Sequence, residues 1–152
     1  MQLGYTNVKV YPGGLLDWIR RRYPVIRTVN YPKVDVPEVF PEQVYRNIDQ
    51  VVLLDIGGEE LRQIGEFRQG NVVHIPLDEL EEKYTLLPKD KEIVIVDVKG
   101  KQEDIAGRFL ILKGYRNLAK MAGGGRAWFK TVRINEMEKM DVRKKERDRE
   151  SY

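Results

Sequence analysis

The residues whose types and spacing could do chemistry are Ile93-Val94-Ile95-Val96-Asp97, then Val98-Lys99-Gly100-Lys101-Gln102-Glu103, then Asp104 to Lys113. An apolar run, a glycine-bearing turn and a helix start together point backbone N–H groups at an anion. A cradle of this kind normally carries a nucleophile on the last strand residue. Here that position holds Asp97, and the chain has no cysteine. The pattern is that of an enzyme whose reacting atom is missing.

The elements that must position this loop follow from apolar patterning. Gln50 to Ile56 reads as a buried strand through Val51-Val52-Leu53-Leu54, closed by Gly57-Gly58. From Glu59 onward, Leu61, Ile64 and Phe67 fall on one face at helical spacing, with a stop near Gly70. Val72-Val73-His74-Ile75 is a second strand ended by Pro76, and Asp78 is expected to cap a short helix through Tyr84. Ile93 to Val96 is a third strand. The next helix carries Ile105, Phe109 and Leu112 on one stripe and stops at Gly114. Leu118 to Met121 gives a fourth strand, and Gly123-Gly124-Gly125 leads into a final helix around Trp128. A short helix within Pro37 to Tyr45 and an edge strand near Val34 complete five strands. Alternation of strands with helices predicts an α/β domain, a mostly parallel sheet covered on both faces.

Composition narrows the chemistry. With no Cys and a single histidine, His74, the chain offers no disulfide, no thiol chemistry of its own and no multi-His metal site. His74 sits inside a strand, where an exposed or hydrogen-bonded histidine is expected, not a ligand. No cofactor is implied. The turn Val52-Leu53-Leu54-Asp55-Ile56-Gly57-Gly58 could suggest a nucleotide site, but it lacks the later glycine and the acidic residue at a following strand end. No apolar run approaches the roughly 18 residues that span a bilayer, and Arg20-Arg21-Arg22 follows the first apolar stretch where a signal peptide would have it precede. A cytoplasmic location is therefore expected, without membrane contact. Net charge is +3, but residues 133–150 alternate seven basic with six acidic side chains, the mark of a solvated helix fraying into disorder. A nucleic-acid arm would need a dense block of one sign, so nucleic-acid binding is not expected.

An internal repeat is the second strong feature. Gly4-Tyr5-Thr6-Asn7-Val8, Gly13-Gly14 and Trp18 recur as Gly114-Tyr115-Arg116-Asn117-Leu118, Gly123-Gly124 and Trp128, with six identities in fifteen positions at a constant offset of 110. Only the last strand-and-helix unit is doubled. Residues 1–29 are accordingly expected to be the end unit of a preceding domain, residues 30–131 a complete domain, and residues 132–152 a charged helix or disordered tail. Trp18 and Trp128 are the expected packing anchors of the two copies.

These signals converge on a family. Val51-Val52-Leu53-Leu54-Asp55, Glu66-Phe67-Arg68, His74-Ile75-Pro76-Leu77, Ile93-Val94-Ile95-Val96, Gly114-Tyr115, Gly123-Gly124 and Trp128, in this order and spacing, resemble the rhodanese-like domain. The duplicated tail resembles tandem rhodaneses. The resemblance implies a three-layer fold around a five-stranded sheet. It also implies a catalytic cysteine carrying a persulfide at the position of Asp97. Other departures agree: the Asp-Val-Arg turn becomes Asp55-Ile56-Gly57, the Gly-His-Ile-Pro-Gly-Ala segment shortens to Gly70-Asn71-Val72, and the loop's arginine and serine become Gln102 and Glu103. Residues Asp97, Val98, Lys99, Gly100, Lys101, Gln102 and Glu103 then form a degenerate active-site loop, with Asp55 supporting it.

Sulfur transfer needs a polarizable thiolate that can be re-thiolated, and a carboxylate cannot hold a sulfane sulfur reversibly. Phosphatases of this fold need the same cysteine. Asp97 could instead accept the loop's N–H groups as a built-in anion. Its charge beside Glu103 and Asp104 would repel thiosulfate, sulfite or phosphate. The expectation is a catalytically silent rhodanese-like module in a sulfur-handling pathway. An apolar face on the orphan unit would be covered in a homo-oligomer or by a partner rhodanese or sulfur-pathway protein. The alternative is a sulfurtransferase component whose cysteine comes from a partner subunit.

Overall fold

The computed structural model describes residues 9, 11–24 and 35–150. The chain divides into two compact units, residues 1–31 and residues 32–152. The strand of the orphan copy, Gly4 to Val8, lies outside the described residues, as does Val34.

In the first unit a short helix, α1 (Gly14–Arg20), presents Trp18 edge-on to Tyr11 and Tyr23, with ring centroids 5.2 and 4.9 Å apart. The Trp18 indole N–H donates to the Pro24 carbonyl at 3.0 Å, and Asp17 accepts from both the Tyr11 hydroxyl (2.5 Å) and Arg21 Nε (2.8 Å). The tryptophan here finds its apolar neighbours within a dozen residues of itself.

The second unit runs β1 (Glu38–Val39), α2 (Pro41–Arg46), β2 (Val51–Asp55), α3 (Gly58–Ile64), β3 (Asn71–His74), α4 (Leu80–Lys83), β4 (Glu92–Val96), α5 (Glu103–Leu112), β5 (Leu118–Met121) and α6 (Gly124–Glu150). The strands form one sheet in the order β1-β5-β4-β2-β3, and every pairing is parallel. β2, buried throughout, and β4, buried from Ile93 onward, pair from Val51 opposite Glu92 to Asp55 opposite Val96. Alternate residues then feed two cores. Val52, Leu54, Ile93 and Ile95 meet Ala106 and Leu110 of α5, together with Leu80 and Leu87. On the opposite face Leu53, Val94, Val96 and Met121 meet Val44 of α2, Leu61 of α3 and Trp128 of α6. Three layers result, as the sequence implied.

Local details depart from expectation where prolines intervene. The edge strand is Glu38–Val39, downstream of the anticipated Val34. Pro37 has no N–H to give a ladder, yet its carbonyl accepts the Lys120 N–H at 2.8 Å, so β1 begins after it. The short helix expected within Pro37 to Tyr45 is α2, which Pro41 starts at the first helical position, and this limits β1 to two residues. Asp78 caps no helix. The turn after Pro76 tightens into a 3-10 segment, Leu77–Glu79, and α4 follows as a single turn before another 3-10 segment, Tyr84–Leu86. The charged C-terminal segment is continuous helix to Glu150, and every side chain from Glu136 to Glu150 is exposed.

Candidate functional site

An all-parallel sheet places its carboxyl ends on one edge, and the crevice outside that edge is where such folds bind ligands. Here the loops after β2 and β4 line a cleft of about 710 Å³, with Pro76 and Leu77 beyond β3 forming one wall. Lys99, Lys101, Glu59, Glu60 and Asp78 contribute its charges.

Asp97 closes β4 and is buried, 4% exposed. Its carboxylate does not point into solvent as a reactive group would. Oδ1 accepts the backbone N–H of Lys99 at 2.7 Å and, very closely, that of Gly100; Oδ2 accepts those of Lys101 and Gln102, both at 2.8 Å. Four amide donors therefore converge on two oxygens that offer about four lone-pair sites. The chain folds this way because Gly100 adopts φ +77°, which turns successive N–H groups inward, and because Lys101 and Gln102 lead into α5 with their N–H groups directed at Asp97. A carboxylate held by that many donors is a poor nucleophile, since its lone pairs are engaged.

Glu103 lies beneath the loop at 1% exposure, and its Oε1 accepts the Asp97 backbone N–H at 3.1 Å. Burial pushes its carboxyl from the ordinary 4.5 up to about 8, with the Asp97 charge adding to the rise. At neutral pH Glu103 is thus mainly uncharged. Asp104 is bound by Lys120 Nζ at 3.0 and 3.2 Å. The negative surroundings anticipated around Asp97 are weaker than the sequence suggests, because one carboxyl keeps its proton and the other is paired.

The glycine run before α6 forms the loop's outer support. Gly124 has φ +62°, and a Cβ there would stand 2.6 Å from the Gly100 nitrogen and 2.8 Å from the Asp97 carbonyl oxygen. That approach lets the Gly125 N–H donate to the Asp97 carbonyl at 2.6 Å. Sequence reading used these glycines as family markers and missed their contact with the loop. It also took Glu103 for a charged member of the loop; a glutamate at the first turn of a helix gives no sign that it is enclosed.

Asp55 sits at the neighbouring strand end and is 1% exposed. Oδ1 accepts the Gly57 N–H at 2.9 Å and Oδ2 meets His74 Nδ1 at 2.8 Å. Asp55 thus braces its own turn and β3, while Val98 and the Lys99 and Lys101 side chains border the cleft. Among the described residues no group of three or more His, Asp or Glu is arranged for a metal ion, and no helix is long and apolar enough to cross a membrane.

A parallel five-stranded sheet with a glycine loop and helix start after its central strand is the frame that the sequence motifs imply, and comparison with known proteins agrees. The family described as "Rhodanese-like domain" matches residues 40–131, and the chain belongs to it. Among curated proteins, the putative sulfur carrier protein YrkF of Bacillus subtilis is 29% identical over 96 residues, which is 61% of this chain and 51% of that protein. The chain spans about half the length of that relative. Among solved structures, a rhodanese-related protein from Thermoplasma volcanium is 26% identical with a TM-score of 0.56, covering 62% of this chain and 92% of that one. An NAD-dependent persulfide reductase from A. fulgidus is 29% identical with a TM-score of 0.52, covering 61% of this chain and 16% of that one.

Proposed function

We propose that this chain is a rhodanese-like module without sulfurtransferase activity of its own, kept as a binding or regulatory partner in sulfur handling. One observation carries the reading. Four loop N–H groups of the kind that would cradle a transferred anion are taken by the Asp97 carboxylate, in a chain without a thiol. A persulfide needs both the sulfur and the donors, and neither is free. The link to sulfur chemistry leans on the relatives, one named a sulfur carrier and one a persulfide reductase.

The degenerate loop is Asp97 to Glu103, with Asp55 bracing the neighbouring turn after β2. Residues 1–29 are read as the end unit of a preceding rhodanese domain, residues 30–131 as the module, and residues 132–152 as a charged appendage. The partner is a second copy of the chain or another sulfur-pathway protein, and the location is the cytoplasm. Cyanide-dependent thiosulfate sulfurtransferase activity of the purified chain is the deciding assay, and no turnover above the protein-free blank is expected. Clear turnover would defeat the reading. Asp97→Cys treated with thiosulfate should gain a persulfide visible by intact mass, because the donors would then face a thiolate. Light scattering should give a mass above 17.8 kDa. A monomer at every concentration would remove the second-copy partner.

A further inference from the structure

We propose that Glu103 is a proton-operated latch for the loop: while its carboxyl is protonated, residues 97–102 stay wrapped around Asp97, and when the proton leaves for solvent the loop opens toward the cleft. The inference rests on the reading of the loop as filled by Asp97.

Two carboxyl groups share one enclosed place. Asp97 collects four amide donors, whereas Glu103 Oε1 receives the Asp97 N–H. The groups facing Glu103 come from three elements: Asp97 in the loop, Asp104 beside it on α5, and Lys120 on β5. Lys120 would be the natural counter-charge, but both Asp104 oxygens hold its ammonium, and Glu38 of β1 acts on it too. α6 brings backbone at Gly124 and Gly125 against the loop, and the β4 side chains on the α5 face of the sheet, Ile93 and Ile95, are apolar. A second negative charge at Glu103 would therefore face Asp97 in a site with little water, while the cation that faces it, Lys120, is already held by Asp104.

The surroundings make that charge mechanical. The Gly124 backbone presses on Gly100 and on the Asp97 carbonyl so closely that a single added carbon would collide. A Cβ on Gly100 would in turn lie 3.6 Å from Glu103 Oε2. Ionised Glu103 can gain water only by moving outward with the first turn of α5, which breaks its bond from the Asp97 N–H. Lys101 and Gln102 immediately precede that turn, so its outward movement draws their N–H groups away from Asp97 as well. Burial and the Asp97 charge set the working range, pushing the Glu103 carboxyl up to about 8.

Amide hydrogen exchange on the intact chain tests this. Protection of Gly100, Lys101 and Gln102 is measured from pH 6.5 to 9.5, corrected for intrinsic base catalysis and referenced to Leu53 and Val94. With a midpoint near 8, the protonated fraction at pH 9.5 is about one in thirty, so loop protection should fall about 30-fold while the strands hold. Glu103→Gln keeps the acceptor and cannot ionise; its loop protection should stay level with pH. Equal loss in parent and variant, or a parent loop protected alike at both pH values, overturns the latch alone. A parent loop unprotected at every pH overturns the filled-loop reading as well. The parent profile stands without the variant, should Glu103→Gln fail to fold.

Discussion

Asp97→Ala is the perturbation that most directly tests how the loop is held. It deprives Lys99, Gly100, Lys101 and Gln102 of their acceptor at once. Hydrogen bonds to a charged group contribute roughly 1.5–3 kcal/mol each, so a fully dry site would lose on the order of 6–12 kcal/mol. The site is not fully dry: Lys99, Lys101 and Gln102 are exposed residues at the cleft, and water can reach their N–H groups in the variant. Gly100 is half-buried under Gly124 and regains water least easily. Loss of the Asp97 charge also relieves Glu103, which offsets part of the damage. The net destabilisation should be about 2–4 kcal/mol. With a urea dependence of about 2 kcal/mol per molar, the midpoint of unfolding should drop by about 1–2 M at pH 7. The emptied donors should then accept a free anion. Sulfate should raise the midpoint of the variant more than that of the parent, since its general stabilising effect acts on both. A variant midpoint within about 0.3 M of the parent, or equal sulfate responses, would refute the reasoning.

Stability should also fall with pH through Glu103. Its folded carboxyl titrates near 8 and its unfolded one near 4.5, so between these values the native state binds more protons and stability declines as pH rises. The contribution is intact below 4.5 and gone above about 8, at most on the order of 5 kcal/mol; Glu103→Gln should flatten that slope in urea titrations at pH 5, 7 and 9. Gly124→Ala puts a Cβ against Gly100 and Asp97 at a positive φ, and should lower stability by about 2 kcal/mol or more, with faster exchange at Lys101 and Gln102. Trp128→Ala removes a side chain 1% exposed and should cost about 3–5 kcal/mol by chemical denaturation. A loss below about 1 kcal/mol would mean that α6 is anchored elsewhere.

The fold was largely legible because its markers are local. Continuous apolar runs at Val51–Leu54 and Ile93–Val96 admit only a strand buried on both faces, and the glycines at 114 and 123 end what precedes them. The ordered motifs supplied the family. Proline-controlled segments were misplaced by a few residues, since a proline forbids a conformation without stating where the next element begins. At the site, the place of Asp97 was legible because the run Ile93–Val96 fixes where the central strand ends. That its carboxylate could take the loop's N–H groups was legible too, since all four donors lie within five residues of it; the support from Gly124 and Gly125 was not, because that contact joins residues far apart in sequence. The burial of Glu103 had no signature at all: a polar residue followed by Asp104 reads as solvent-facing, and the Gly124 seat above it becomes evident only in three dimensions.

The plug in the loop is a side chain of the chain itself, on the residue that follows β4, and that has a consequence for competition. A dissolved anion must reach the donors at its bulk concentration, typically millimolar or less, whereas a side chain fixed one bond from the site acts as if present at molar levels or above. Metabolite fluctuations therefore leave the hollow shut. Whatever unseats Asp97 has to deform the polypeptide itself, so the loop answers to forces transmitted through protein contacts and to protons, not to the abundance of small oxyanions.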